Sequence, residues 1–166
     1  MNTIHISRFW FLLICLFLAI LPLTSTASII RLQTVLGVID IQLYDEAAPK
    51  TVENFYIYLN NNAYNHSFFH RSMPGFIIQG GGYVWNQTTN EGNVIAKLPP
   101  VVNEFSATRS NVRGTIAMAK LPDKPNSATS EWFINLVDNS ANLNKQNDGF
   151  TVFGQVIGNG MQVADA

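Results

Sequence analysis

Cysteine is nearly absent from this chain: Cys15 is the only one. It sits in an apolar N-terminal stretch, so the rest of the chain has no disulfide framework and no thiolate metal site. Basic runs are also missing. Ten Lys and Arg stand against 11 Asp and Glu, spread thinly, which argues against nucleic acid or an anionic membrane as the main partner. The histidines are His5, His66 and His70, and no Gly-x-Ser-x-Gly occurs. Gly80-Gly81-Gly82 follows a strand-like run but leads into loop, not into a helix that could cradle phosphate. Nucleophilic catalysis therefore has little to stand on. His66 and His70 lack a nearby third partner for zinc and read as surface or strand-packing residues. No metal and no cofactor are expected.

The first 27 residues carry a recognisable pattern. Arg8 precedes a nearly unbroken apolar run from Phe9 to Leu21, Pro22 breaks it, and Ser25-Thr26-Ala27 supplies small residues. That is the layout of a cleaved export signal. The run is shorter than the roughly 20 residues a spanning helix needs, and Ile14 before Cys15 is too large for a lipoprotein site. An exported protein is expected, periplasmic or secreted, with residues 28–166 forming one domain.

Further along, Ile29 to Thr34 and Val38 to Tyr44 alternate apolar and polar residues about Val35-Leu36-Gly37, which predicts an antiparallel hairpin. Pro49 suits the first position of a helix, with Val52, Phe55, Tyr56 and Leu59 at helical spacing and Asn60-Asn61-Asn62 ending it. Tyr83 to Pro100 reads as a long surface excursion. Gly114–Ala119, Glu131–Leu136 and Phe150–Val156 read as short strands, and Asp138–Gly149 as an Asn-rich loop. Gly160 to Asp165 reads as the start of a helix. Six or seven short strands with one or two helices suggest a closed antiparallel barrel or a sandwich.

The most informative stretch is Phe68 to Gly82. Two apolar runs flank Met73-Pro74-Gly75, a turn with a mechanism, because Pro presets φ and Gly accepts φ > 0. The runs deliver Arg71 and Gln79. A guanidinium keeps its charge at any accessible pH and is costly to bury beside Phe and Ile, so the stretch reads as one wall of a groove. Phe76, Ile77, Met118, Phe133 and Leu143 read either as its lining or as plain core.

Phe69-His70-Arg71-Ser72-Met73-Pro74-Gly75-Phe76-Ile77-Ile78-Gln79-Gly80-Gly81 resembles the signature of the cyclophilins, which are peptidyl-prolyl cis-trans isomerases. The resemblance continues through Thr51–Phe55, Glu104-Phe105, Arg113–Ala119, Ser130–Ile134 and Val152-Phe153-Gly154, and so spans essentially all of residues 28–166. It implies a mainly β fold: a closed antiparallel cyclophilin-like barrel, eight-stranded in the family, capped by two helices. Members continue through a second helix to a final strand that this chain lacks. An open edge near Ile29–Thr34 is therefore expected, and the end at Ala166 reads as a truncation.

Carried over residue by residue, the resemblance implies that Arg71 is the catalytic arginine with Gln79 beside it. It puts substrate-binding groove residues at Phe76, Ile77, Ala119, Phe133 and Leu143, with Met118 assigned to the same groove. Asn142 stands where many members carry a wall tryptophan or phenylalanine, and Phe150 where they carry histidine or tyrosine. Weak cyclosporin binding follows from Asn142. The implied partners are proline-containing segments of exported proteins, met by a monomer of the bacterial periplasmic kind. Two other readings stand beside this one: a proline-peptide-binding or chaperone module with little turnover, and a small barrel carrying an apolar ligand.

Overall fold

The computed structural model describes residues 27–166. Nearly all of the expected export signal, Cys15 included, lies outside them. Strand β1 (Ile29–Thr34) pairs antiparallel with β2 (Gly37–Leu43). Alternation works as anticipated: Ile39, Ile41 and Leu43 are fully buried. On the outer face Arg31 grips Asp40 across the pair, Nε to Oδ1 at 2.7 Å and Nη2 to Oδ2 at 2.8 Å. Helix α1 (Pro49–Asn60) follows, with Pro at its start. Strands β3 (Arg71–Met73) and β4 (Ile77–Gly80) form the hairpin around Pro74-Gly75.

Next come β5 (Tyr83–Asn86) and β6 (Glu91–Val94), a separate two-stranded sheet. The surface excursion expected from Tyr83 to Pro100 therefore contains a regular hairpin. Its turn is built by Asn86, whose Oδ1 accepts from the Thr88 and Thr89 N–H groups at 2.9 and 3.2 Å, a local bond that polar composition conceals. Then follow β7 (Thr115–Met118), β8 (Trp132–Asn135), the four-residue helix α2 (Ser140–Leu143), β9 (Val152–Ile157) and α3 (Gly160–Ala164).

The main sheet has the order β1-β2-β9-β7-β8-β4-β3, antiparallel throughout. It curls as a half-barrel. Among the described residues β1 and β3 are its edges, so closure is missing at the side where the open edge was expected.

The two faces of the sheet do different work. One buries Ile78, Ile116, Met118, Trp132, Ile134 and Phe153 together with Val52 and Phe55 of α1. The other carries a smaller cluster of Ile77, Ala117, Phe133, Leu143 and Val152. Period-2 alternation along β4, β7 and β8 separates the sets, and on β9 Val152 and Phe153 divide between them beside a register shift in the β7–β9 ladder.

Helix α1 buries Thr51, Val52, Asn54, Phe55 and Tyr58, whereas Tyr56 and Leu59 are only half-buried. The two buried polar residues are satisfied from elsewhere in the chain. Asn54 Nδ2 donates to the Thr129 carbonyl at 2.7 Å. The helix start has Ala48 as its cap residue, which offers no side-chain acceptor. Glu104 takes over that role: its carboxylate accepts from the Lys50 N–H (3.2 Å), the Thr51 N–H (2.7 Å) and the Thr51 hydroxyl (2.7 Å). An acceptor at a helix start satisfies orphan donors and meets the positive end of the helix dipole. Glu104→Ala should therefore destabilise the fold by about 1–2 kcal/mol, the scale of a lost N-cap, read as a lower urea midpoint at unchanged slope. An unaltered midpoint would show that Glu104 caps nothing that matters.

Candidate active site

Register decides what meets at the β3–β4 hairpin. Gly75 at the turn has φ 72, a conformation that favours glycine. Arg71 then falls directly opposite Gln79, and Gln79 opposite Phe133. Ala117 pairs with Phe133, and Val152 with Ala117. Paired residues share a face, so one row runs across the sheet from Arg71 through Gln79, Phe133 and Ala117 to Val152. Its polar end is the Arg71–Gln79 pair. Its apolar end is flanked by Ile77 and Leu143, with Phe76, Ala119, Phe150 and Tyr44 packed against the cluster.

Arg71 is exposed and held from two sides. Its Nη1 donates to Gln79 Oε1 at 3.2 Å and its Nη2 to Met73 Sδ at 2.8 Å. Gln79 Nε2 donates to Glu131 Oε2 at 2.8 Å. A carboxylate only accepts, so Glu131 obliges the Gln79 amide to turn its NH2 inward and its oxygen toward Arg71. Glu131 also lies 3.5 Å from His70 Nε2 and 3.8 Å from Lys97 Nζ. A cleft of about 140 Å³ opens beside this chain, lined by Gln79, Ala119, Lys120 and Glu131 among others. A larger hollow of about 360 Å³ over Asn65, His66 and Trp85 contains none of the row. Gly81 lets β4 run close under β8: a Cβ there would strike the Ser130 carbonyl oxygen, and its φ is 75.

Buried amides fasten the far wall. Asn135, fully buried, donates through Nδ2 to Thr115 Oγ1 at 2.9 Å and accepts from Asn139 Nδ2 at 2.8 Å. Asn139 Nδ2 also reaches the Phe76 carbonyl at 3.0 Å. Asn111 Nδ2 reaches the Phe150 carbonyl at 3.0 Å. Phe150 meets Phe133 edge-on, ring centres 5.7 Å apart, and Lys120 Nζ lies 4.9 Å from the Phe150 ring centre.

The structure thus gathers Arg71, Gln79, Phe76, Ile77, Ala119, Phe133, Leu143 and Phe150 on one face. Met118 is the correction. Strand alternation turns Ile116 and Met118 to the opposite face, where Met118 is 1% exposed in the main core, and Ala117 takes the place beside Phe133. Asn142 is exposed on α2 and lies outside the apolar cluster. Sequence reasoning passed over Glu131, Met73 and Lys120. Glu131 was within reach, because it lies two residues before Phe133 and shares its face.

Residues 29–166 match a family model described as cyclophilin type peptidyl-prolyl cis-trans isomerase/CLD. A protein of Acinetobacter baylyi named peptidyl-prolyl cis-trans isomerase is 43% identical over 139 residues, 83% of this chain and 70% of the relative. Peptidyl-prolyl cis-trans isomerase B of Escherichia coli is 40% identical over 136 residues, 78% of this chain and 77% of the relative. A crystal structure of a Cryptosporidium parvum cyclophilin, solved in the presence of the dipeptide Ala-Pro, matches with TM-score 0.66 and 25% identity over 83% of this chain and 85% of that one. The chain belongs to the cyclophilin-type peptidyl-prolyl cis-trans isomerase family, and membership makes it an isomerase.

One titration is readable at the far wall. Lys120 Nζ donates to the Asn147 and Gly149 carbonyls at 2.7 and 2.6 Å. Burial pushes its ammonium down to about 8, against the opposing pull of Asp148. The unfolded chain keeps the ordinary value of 10.5 and so binds more protons between those two pH values. Stability should therefore rise as pH climbs through that window and be lower below it. Lys120→Met should flatten this part of a plot of urea midpoint against pH. Equal slopes in the two proteins would remove Lys120 as the cause.

Proposed function

We propose that this chain accelerates cis–trans rotation about X-Pro peptide bonds, with Arg71 acting on the prolyl nitrogen. One observation carries the reading: an exposed guanidinium, fixed by Gln79, stands at the end of the cross-strand row that leads to Phe133. The X-Pro amide resists rotation because resonance gives its C–N bond partial double-bond character, a barrier of about 18–20 kcal/mol. Uncatalysed exchange takes tens to hundreds of seconds. Pyramidal prolyl nitrogen, its lone pair withdrawn from the carbonyl, is the feature that marks the transition state. Arginine has five N–H donors, and those not engaged by Gln79 and Met73 can donate to that lone pair. Because the donor matters most where charge density develops, its effect falls on the transition state more than on the bound substrate.

The apolar cluster supplies the other half. Phe76, Ile77, Phe133 and Leu143 would hold the proline ring while the preceding residue turns about the bond. No proton is transferred and no covalent intermediate forms, so the mechanism asks only for a charged donor and a dry seat. Gln79 acts as a positioning residue, and Glu131 sets its orientation. Asn142, exposed at the position of the family's aromatic wall, supports weak cyclosporin binding. The leader pattern of residues 1–27 supports action on exported proteins, in a periplasm or outside the cell. N-terminal sequencing of the exported protein would check it, with Ser28 as the expected first residue.

The activity is tested with Arg71→Ala in refolding limited by proline isomerisation. The expected loss in kcat/KM is about 10²–10³-fold, as for removal of one transition-state donor, with the melting temperature unchanged because Arg71 is exposed. An unchanged kcat/KM would remove Arg71 from the chemistry. Peptide binding without enhanced exchange in the parent protein would favour a proline-binding module instead.

A further inference from the structure

The thioether of Met73 lies against the candidate catalytic group. Arg71 and Met73 are two apart on β3, so their side chains share a face, and Arg71 Nη2 donates to Met73 Sδ at 2.8 Å. Thioether sulfur is a weak acceptor, so it steadies the guanidinium without competing strongly for it. Met73 is 39% exposed on an edge strand, whereas Met118 is 1% exposed and Met161 packs against the core. Among the described methionines, Met73 is therefore the one most open to a dissolved oxidant.

We propose that Met73 is an oxidative modification site that withdraws Arg71 from the substrate. The proposal rests on the isomerase reading above. The oxidant is a peroxide. A sulfur lone pair attacks one peroxide oxygen, the O–O bond breaks and an S–O bond forms; sulfur is oxidised by two electrons, the peroxide is reduced, and water leaves. The product is methionine sulfoxide, which sulfoxide reductases return to the thioether. Its oxygen is a strong, dipolar acceptor where the sulfur was a weak one. The sulfoxide holds the guanidinium by a charge-assisted hydrogen bond and keeps it at the β3 edge, away from a prolyl nitrogen seated over Phe133. Oxidant thus lowers activity through an acceptor that outcompetes the substrate, and reductase restores it.

The test uses the purified protein titrated with hydrogen peroxide. Peptide mapping by mass should find one added oxygen at Met73 before any at Met118 or Met161. The kcat/KM of the oxidised protein should fall by about tenfold, part of the full loss of a transition-state donor, and return after treatment with both sulfoxide reductases. Met73→Leu, compared with its own untreated rate, should lose nothing, while Met161→Leu should remain as sensitive as the parent. The Arg71 Nε–Hε signal in an NMR spectrum should shift on oxidation, a readout that needs no turnover. An untreated protein without turnover overturns the isomerase reading and the switch with it. A stationary Arg71 signal despite Met73 oxidation, or equal loss of activity in Met73→Leu, overturns the Met73 proposal itself.

Discussion

A fully buried amide at the end of β8 ties the two walls of the site together. Asn135 has no access to water, and an unpaired buried amide costs about 1–3 kcal/mol. Its donors and acceptor are matched only when Thr115 and Asn139 stand where they do. Asn139 in turn holds the Phe76 carbonyl, and Asn111 holds the Phe150 carbonyl. The segment from 138 to 150 is thereby laid against the sheet through polar bonds, and Leu143 is brought onto the apolar cluster. Phe76 and Phe150 are fixed through their backbones while their rings stay half-buried. The wall is hydrogen-bonded to the sheet through its backbone and presents its rings to the side where a ligand would lie.

The Arg71–Gln79–Glu131 chain adds direction to that frame. Each link has a single sense: the guanidinium donates, the amide relays, the carboxylate accepts. Glu131 balances the positive charge from two residues away without forming an ion pair that would tie up the donor. A direct carboxylate partner would have taken the very N–H groups that a prolyl nitrogen needs. Arg71 instead rests on a neutral amide and a thioether, both weaker acceptors.

Much of this was legible from residue patterns alone. The alternation of Ile29–Leu43, Pro49 at the start of α1 and the Pro74-Gly75 turn each encode local geometry, and each holds in the structure. Arg71 and Gln79 face each other because both belong to one short hairpin, whose register follows from its turn. Met118 was not legible in the same way. Its face depends on which residues of β7 pair with β8 and β9, and the register slips between Ile116 and Ala117. The β5–β6 hairpin was hidden because its turn is made by an Asn86 side chain, with no Gly-Pro signal. Lys120 and Glu104 act through partners 27 or more positions away, and no local period records such distances.

Glu104 carries a consequence for how the chain reaches this state. Helix α1 has 12 residues, near the lower limit for independent stability in water, and its first turn has no cap of its own. The acceptor arrives from 53 positions downstream. It stands between Asn103 and Phe105, and the Glu104 N–H is held by Thr151 Oγ1 at 2.9 Å, at the foot of β9. Complete order at the helix start therefore waits for the closing of a long loop and for the docking of the last strand of the sheet, a contact whose entropy cost is met late. A chain emerging from synthesis would expose Val52 and Phe55 until β9 had been made. An enzyme proposed to hasten the slow steps of other proteins thus relies on a non-local contact to finish its own first helix.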